Sequence, residues 1–256
     1  MTLYRGQYSW PFEFVLPQCL PPSSVPSTVA YPYVKYFVRI VLDKPWYKPN
    51  AKQIYNLTIF PRVNLYHIAN AQQMVPFSHV NRKKVELQGY LIRGGVIPGD
   101  KLSVHVDLLN PKRAEIKRIE ATLYQHRQVA RTQYSEIIFR MDLPNLREFS
   151  GTDFHETFDL QIPAVQLAPT YNYMPQCCGV SFVISYHYEL KLDVKARGLF
   201  TDFKVTVPVI IGTEPAADGE NDLINNFTET AMPSAPVYEP DELPPSYESV
   251  VAEGKR

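Results

Sequence analysis

The chain has 256 residues, of which 45% are apolar, 12% aromatic and 20% charged, with 11 glycines and 23 prolines. That is enough apolar material for a buried core, and it excludes a collagen-like or wholly disordered chain. Bases and acids both number 26, but ten acids and two bases lie from Glu214 onward, leaving 24 bases and 16 acids before it; the body carries +8 and the tail −8, as interaction tails do.

No signal peptide is expected, because Arg5, Pro11, Glu13 and Pro17 break any apolar stretch at the start. Nothing approaches the ~18 uninterrupted apolar residues of a spanning helix. Cys19, Cys177 and Cys178 cannot make a disulfide framework and suit a reduced, cytoplasmic chain, with buried apolar cysteines the simplest reading.

In chain order, Tyr33–Leu42 mixes aromatic and β-branched residues with Lys35 and Arg39 on alternate positions, the pattern of a half-buried strand. Leu102, Val104, Val106 and Leu108 alternate with Ser103, His105 and Asp107. Ile119, Ala121 and Leu123 repeat this against Arg118, Glu120 and Thr122. A long run over Val180–Val194 sets Ile184, Tyr186, Tyr188 and Leu190 against Val183, Ser185, His187 and Glu189, and Phe203–Ile211 closes the body. Joints fall at Pro21-Pro22, Gly94-Gly95, Pro98-Gly99, Asn110-Pro111 and Pro144. No stretch of ten residues holds a capped 3.6-residue period. The fold class is therefore all-β, with β-sandwich units expected over 1–76 and 77–213 and a disordered acidic tail over 214–256 that holds six prolines.

The tail carries two short motifs. Pro244-Pro245-Ser246-Tyr247 is a PPxY sequence, in which the prolines bias the chain to polyproline II for a WW-domain groove and Tyr247 fills a second pocket. Upstream, Pro233-Ser234-Ala235-Pro236 is a PSAP sequence, similar to the segment gripped by the ubiquitin-conjugase-like domain of the first ESCRT complex. Ala235 lets the backbone approach closely and Pro236 is a rigid apolar plug. A plain Pro-rich linker is the alternative for each, and the pair in one tail argues against it.

Pro11-Phe12-Glu13-Phe14-Val15-Leu16-Pro17, Leu20-Pro21-Pro22-Ser23 and the Tyr33–Leu42 strand resemble the N-terminal arrestin domain of the alpha-arrestins. Val85–Val106, with Gly-Val-Ile-Pro-Gly at 95–99, resembles the opening of their C-terminal domain, and Pro208-Val-Ile-Ile-Gly-Thr213 its closing strand. The resemblance covers roughly residues 6–213. It implies two immunoglobulin-like arrestin sandwiches, the first truncated (in an isoform or a fragment), because the family has several more strands before Pro11. It further implies an adaptor in membrane-protein trafficking, cytoplasmic and recruited to plasma membrane and endosomes, that joins membrane-protein cargo to WW-domain HECT ubiquitin ligases through Pro244, Pro245 and Tyr247. Pairing of the PSAP and PPxY motifs looks most like the alpha-arrestins implicated in vesicle budding. The second reading is a structural trafficking subunit like the retromer's arrestin-like component, or a scaffold or redox regulator acting through body surfaces or Cys177-Cys178; a working PPxY separates the first from these.

Arg82-Lys83-Lys84 and Lys112-Arg113, with Lys117-Arg118 nearby, are candidates for phosphorylated cargo or anionic lipid, weighed against a solvated strand face and turn. Nucleic acid is not expected: there is no basic–aromatic groove motif and the pI is about 7.0. His67, His79, His105, His126, His155 and His187 are scattered with no apparent metal-ligand spacing, and neither a phosphate loop nor a nucleophile elbow is present. No metal, cofactor or catalytic residue is expected. Asn56-Leu-Thr58 and Asn226-Phe-Thr228 match glycosylation acceptors, which matter only in a secreted chain.

Overall fold

A computed structural model describes residue 6 and residues 8–17, 20–24, 31–173, 176–177, 180–181, 183–198 and 201–215. Ahead of residue 75 the described residues form one antiparallel hairpin, β1 (Tyr36–Leu42) with β2 (Ala51–Leu57), then a 3-10 turn at Leu65–His67 and a single helical turn, α1 (Ala69–Gln72). The remaining strands are β3 (Val75–Val80), β4 (Glu86–Leu91), β5 (Gly95–Val96), β6 (Lys101–Leu109), β7 (Ile116–Val129), β8 (Thr132–Asp142), β9 (Asp153–Gln161), β10 (Tyr171–Tyr173), β11 (Gln176–Cys177), β12 (Val180–Ser181), β13 (Ile184–Ala196) and β14 (Phe203–Ile211).

These strands build a sandwich. One sheet has the order β3-β4-β6-β9; the other runs β5-β14-β13-β7-β8, with β10 paired to β13. Among the described residues the named strands pair antiparallel except β5 with β14, where Gly95 lies opposite Ile210. β11 and β12 form a separate short pair. The all-β expectation holds, and β14 has the limits that its alternation marks.

Alternation becomes burial along the central strands. Leu102, Val104, Val106 and Leu108 from β6 meet Ile119, Ala121 and Leu123 from β7 and Leu190, Leu192 and Val194 from β13 in one core. Burying each such aliphatic side chain contributes about 1.5–3 kcal/mol. Thr122 departs from its expected outward exposure: it is buried, in register between Arg140 and Lys191, long neighbours that flank so short a side chain. β4 and β6 approach closely at Gly89, where an added Cβ would lie 2.0 Å from the His105 carbonyl oxygen.

The buried Tyr188 hydroxyl is matched to partners. Tyr188, 1% exposed, donates its hydroxyl hydrogen to the Ala168 carbonyl oxygen and accepts from Gln125 Nε2. Burial above all pushes the Tyr188 phenol pKa far up, the Gln125 hydrogen bond opposing it.

A smaller apolar cluster of Val129, Ala168, Ile184 and Tyr186 sits where β13 begins, with Val34, Phe60 and Tyr171 packed on it. Ser23 and Ser24 bind the N-terminal segment here. Ser23 exchanges two 2.8 Å bonds with the Ile59 backbone, and Ser24 Oγ accepts from Val34 N at 2.9 Å and lies 3.1 Å from the Tyr186 hydroxyl.

The half-buried reading of Tyr33–Leu42 is corrected. Strand begins at Tyr36, and on β1 only Tyr36 and Val38 are partly buried, while Phe37, Ile40, Val41 and Leu42 are exposed. Its alternation is real, but burial needs a covering layer, and β1–β2 stands as a two-stranded sheet of its own. Trp46, at the hairpin tip, is 96% exposed. Among the described residues no helix is long and apolar enough to cross a membrane.

Candidate functional site

The two basic clusters are the tips of two turns of the same construction at one end of the sandwich. Asn81 and Asn110 open them. Asn81 Oδ1 accepts from Lys83 N at 2.9 Å and Val85 N at 3.0 Å; Asn110 Oδ1 accepts from Ala114 N at 2.8 Å. In each turn the residue three positions on donates its N–H back to the asparagine carbonyl at 3.0 Å, Lys84 to Asn81 and Arg113 to Asn110. Those closing residues hold positive φ, 63° and 49°. Short asparagine side chains replace the ladder bonds that such backbone gives up. β4 pairs with β6 in a register that sets Glu86 opposite Leu109, so both tips project from the same edge.

The β13–β14 loop stitches the two turns together. Asn81 Nδ2 donates to the Thr201 carbonyl at 3.0 Å, Lys83 Nζ to the Arg197 carbonyl at 3.2 Å, and Arg197 N to the Glu115 carbonyl at 2.8 Å. Asn110, fully buried, donates from Nδ2 to the carbonyls of Ala114 at 2.8 Å and Gly151 at 2.9 Å.

Charge divides this end in two. Arg118 and Arg147 share Asp142, Lys195 bridges Asp193 and Asp202, and Arg197 holds Glu115 at 2.8 Å. That hydrogen bond above all raises the Arg197 pKa over its ordinary value. Arg118, Arg147 and Lys195 border, with Lys117, a cleft of about 580 Å³ that also holds three acids, Glu115, Glu148 and Asp202. Arg82, Lys84, Lys112 and Arg113 instead are exposed at the tips and make no ion pair with the described acids. Lys83 is half-buried, its amine spent on the Arg197 carbonyl. Four of the five basic residues picked from sequence are thus presented to solvent, and one braces the loop.

Pro233, Ser234, Ala235, Pro236, Pro244, Pro245 and Tyr247 lie outside the described residues, as do Cys19 and Cys178.

One group was missed in the sequence. His126 on β7 and His187 on β13 are paired in register, their rings stacked 5.0 Å apart, and Glu189 lies two residues along β13 on the same outward face. The ligating atoms of the three lie within 4.8 Å of one another. The signal available was His187-Tyr188-Glu189, an i, i+2 spacing that shares a face on a strand.

The described residues form an all-β, two-sheet sandwich with two basic turns at one end. The chain matches the model of the arrestin (or S-antigen) C-terminal domain over residues 81–216 and that of the arrestin (or S-antigen) N-terminal domain over residues 1–66. It belongs to the arrestin family. It is similar to human arrestin domain-containing protein 1, an alpha-arrestin, with 23% identity over 229 residues that cover 82% of this chain and 47% of that relative. The chain spans about half the length of the curated relative it matches.

Proposed function

We propose that the chain is a trafficking adaptor in which the body engages membrane-protein cargo close to a membrane and the tail recruits ubiquitin ligase. The observation that carries this reading is Pro244-Pro245-Ser246-Tyr247 in an acidic tail directly after an arrestin C-terminal domain match that ends at 216. Pro244, Pro245 and Tyr247 bind WW domains of HECT ligases, and Pro233-Ser234-Ala235-Pro236 binds the ESCRT ubiquitin-conjugase-like domain. The ligase is thereby held at high effective concentration beside whatever the body carries. Arg82, Lys84, Lys112 and Arg113 face anionic inner-leaflet lipid or phosphorylated cargo, which their exposed, unpaired state supports. The chain works in the cytoplasm and is recruited to plasma membrane and endosomes.

The test is capture of a WW-domain HECT ligase on the full chain and on the chain ending at Pro215. The full chain is expected to retain the ligase and direct ubiquitin onto co-bound cargo, and the shortened one to do neither. Equal capture by both overturns the reading.

A further inference from the structure

We propose that His126, His187 and Glu189 form a binding site for one divalent transition-metal ion, zinc by its two-nitrogen, one-oxygen donor set, on the outward face of the β7–β13 pair. The site is independent of the tail motifs and of the basic turns. Antiparallel register sets His126 opposite His187, and Glu189 lies opposite Tyr124, whose ring stacks on His126 at 6.0 Å. The backbone has thus already aligned three donors from the two strands at the centre of the larger sheet. Their ligating atoms lie within 4.8 Å of one another. Zinc bonds of about 2.0–2.2 Å require them to draw closer.

The surroundings of His126 argue for a cation. Its Nδ1 lies 2.8 Å from Ser135 Oγ. A β-bulge at Leu123/Tyr124 sets Ser135 opposite His126. A ligating histidine characteristically engages an oxygen with its second nitrogen, which fixes tautomer and ring orientation. With the hydrogen on Nδ1, donated to Ser135 Oγ, Nε2 is the nitrogen left to ligate. Nε2 is buried, 3.4 Å from Glu189 Oε2, and makes no hydrogen bond with it. His187 is exposed and Glu189 half-exposed, which gives the ion a path from solvent. Three protein ligands leave a fourth position for water.

The experiment is a calorimetric titration of zinc chloride into the full chain, with accessible thiols alkylated so that cysteine binding is not read, beside the His187→Ala and Glu189→Gln variants. Both replaced side chains lie on the outer face, and a thermal melt in chelator checks that each variant folds as the parent does. Cobalt(II) absorption gives a second readout, because a low-symmetry nitrogen–oxygen site produces intense visible bands that free cobalt lacks. The parent is expected to bind one ion saturably and show those bands, and each variant to bind at least tenfold more weakly. Should the parent take up no ion at a defined stoichiometry, or either variant bind as tightly as the parent, the assignment is overturned. If a variant fails the melt, His187→Gln and Glu189→Ala take its place under the same criterion.

Discussion

Asn110 and Gly151 are joined by a 2.9 Å hydrogen bond from Nδ2 to the carbonyl oxygen, which ties the β6–β7 turn to the segment leading into β9. The same side chain serves the Ala114 amide and carbonyl, so one buried residue meets three backbone groups. Asn110→Ala leaves all three without it. At ~1–3 kcal/mol for each buried group left unsatisfied, partly relieved by water entering, a net loss of about 2–4 kcal/mol is expected in urea unfolding. Loss of less than about 0.5 kcal/mol, the scale of an ordinary surface substitution, would show that the asparagine is a bystander.

Gly89 tests the close approach of β4 and β6. An added Cβ would meet the His105 carbonyl oxygen at 2.0 Å and Phe77 Cζ at 2.8 Å. The ring can move and the backbone carbonyl cannot without breaking the ladder. Gly89→Ala is expected to cost about 1–3 kcal/mol or more, whereas Gly99→Ala, whose nearest neighbour lies at 3.6 Å, pays only for its φ of +95°. Comparing the two midpoints in denaturant decides the matter: equal loss would mean that conformation, not contact, dominates at residue 89.

The parts of this fold legible in the sequence are those in which burial follows strand period alone. Leu102–Leu108 and Phe203–Ile211 sit between two layers, so their alternation translates into the core. Tyr33–Leu42 has the same pattern and fails, because exposure there depends on what covers the hairpin, which no local pattern encodes. The basic clusters were legible as charge. That Asn81 and Asn110 fold them into matching turns at one edge follows from the β4–β6 register, a non-local quantity. His126 and His187 are brought together in the same way by the β7–β13 register and look scattered when read along the chain.

Exposed cations with no ion pair among the described acids predict salt-sensitive membrane binding. Each surface Lys or Arg near an anionic bilayer contributes about 1 kcal/mol, so neutralising Arg82, Lys84, Lys112 and Arg113 to glutamine should weaken binding to phosphatidylserine vesicles well over tenfold. Raising salt should weaken the parent likewise, since the Debye length falls from about 10 Å at 0.1 M to 3 Å at 1 M. Co-sedimentation at the two salt concentrations measures both effects. Binding that is indifferent to salt and to the quadruple substitution removes this surface from the model.

For the upstream tail motif, Pro233→Leu with Pro236→Leu should abolish association with the ESCRT ubiquitin-conjugase-like domain while sparing ligase binding. The prolines prepay part of the docking entropy, and leucine restores that freedom while removing the rigid plug. Fluorescence polarisation with a peptide over residues 228–240 gives the comparison, and undiminished binding by the double variant would discard this half of the tail's role.

The PPxY segment makes the sharpest demand on individual residues. In the proposed complex Pro244 and Pro245 are expected to hold an extended polyproline helix and stack on groove aromatics. Tyr247 follows Pro244 by three residues, one polyproline turn, and so meets the adjoining pocket from the same face. Ser246 is expected to make neither contact. Tyr247→Ala removes a buried anchor, for which interface truncations cost ~2 kcal/mol or more, over tenfold in affinity; Ser246→Ala should leave affinity within twofold. Phosphorylation of Tyr247 should block binding as well, because it drives about −1.5 to −2 charges into an apolar pocket. Titrating a peptide spanning Glu239–Val251, its two alanine variants and its phosphotyrosine form against isolated WW domains orders all four. If the Tyr247→Ala peptide binds like the parent while Ser246→Ala loses affinity, the two side chains have been given each other's roles, and the polyproline register on which the assignment rests is wrong.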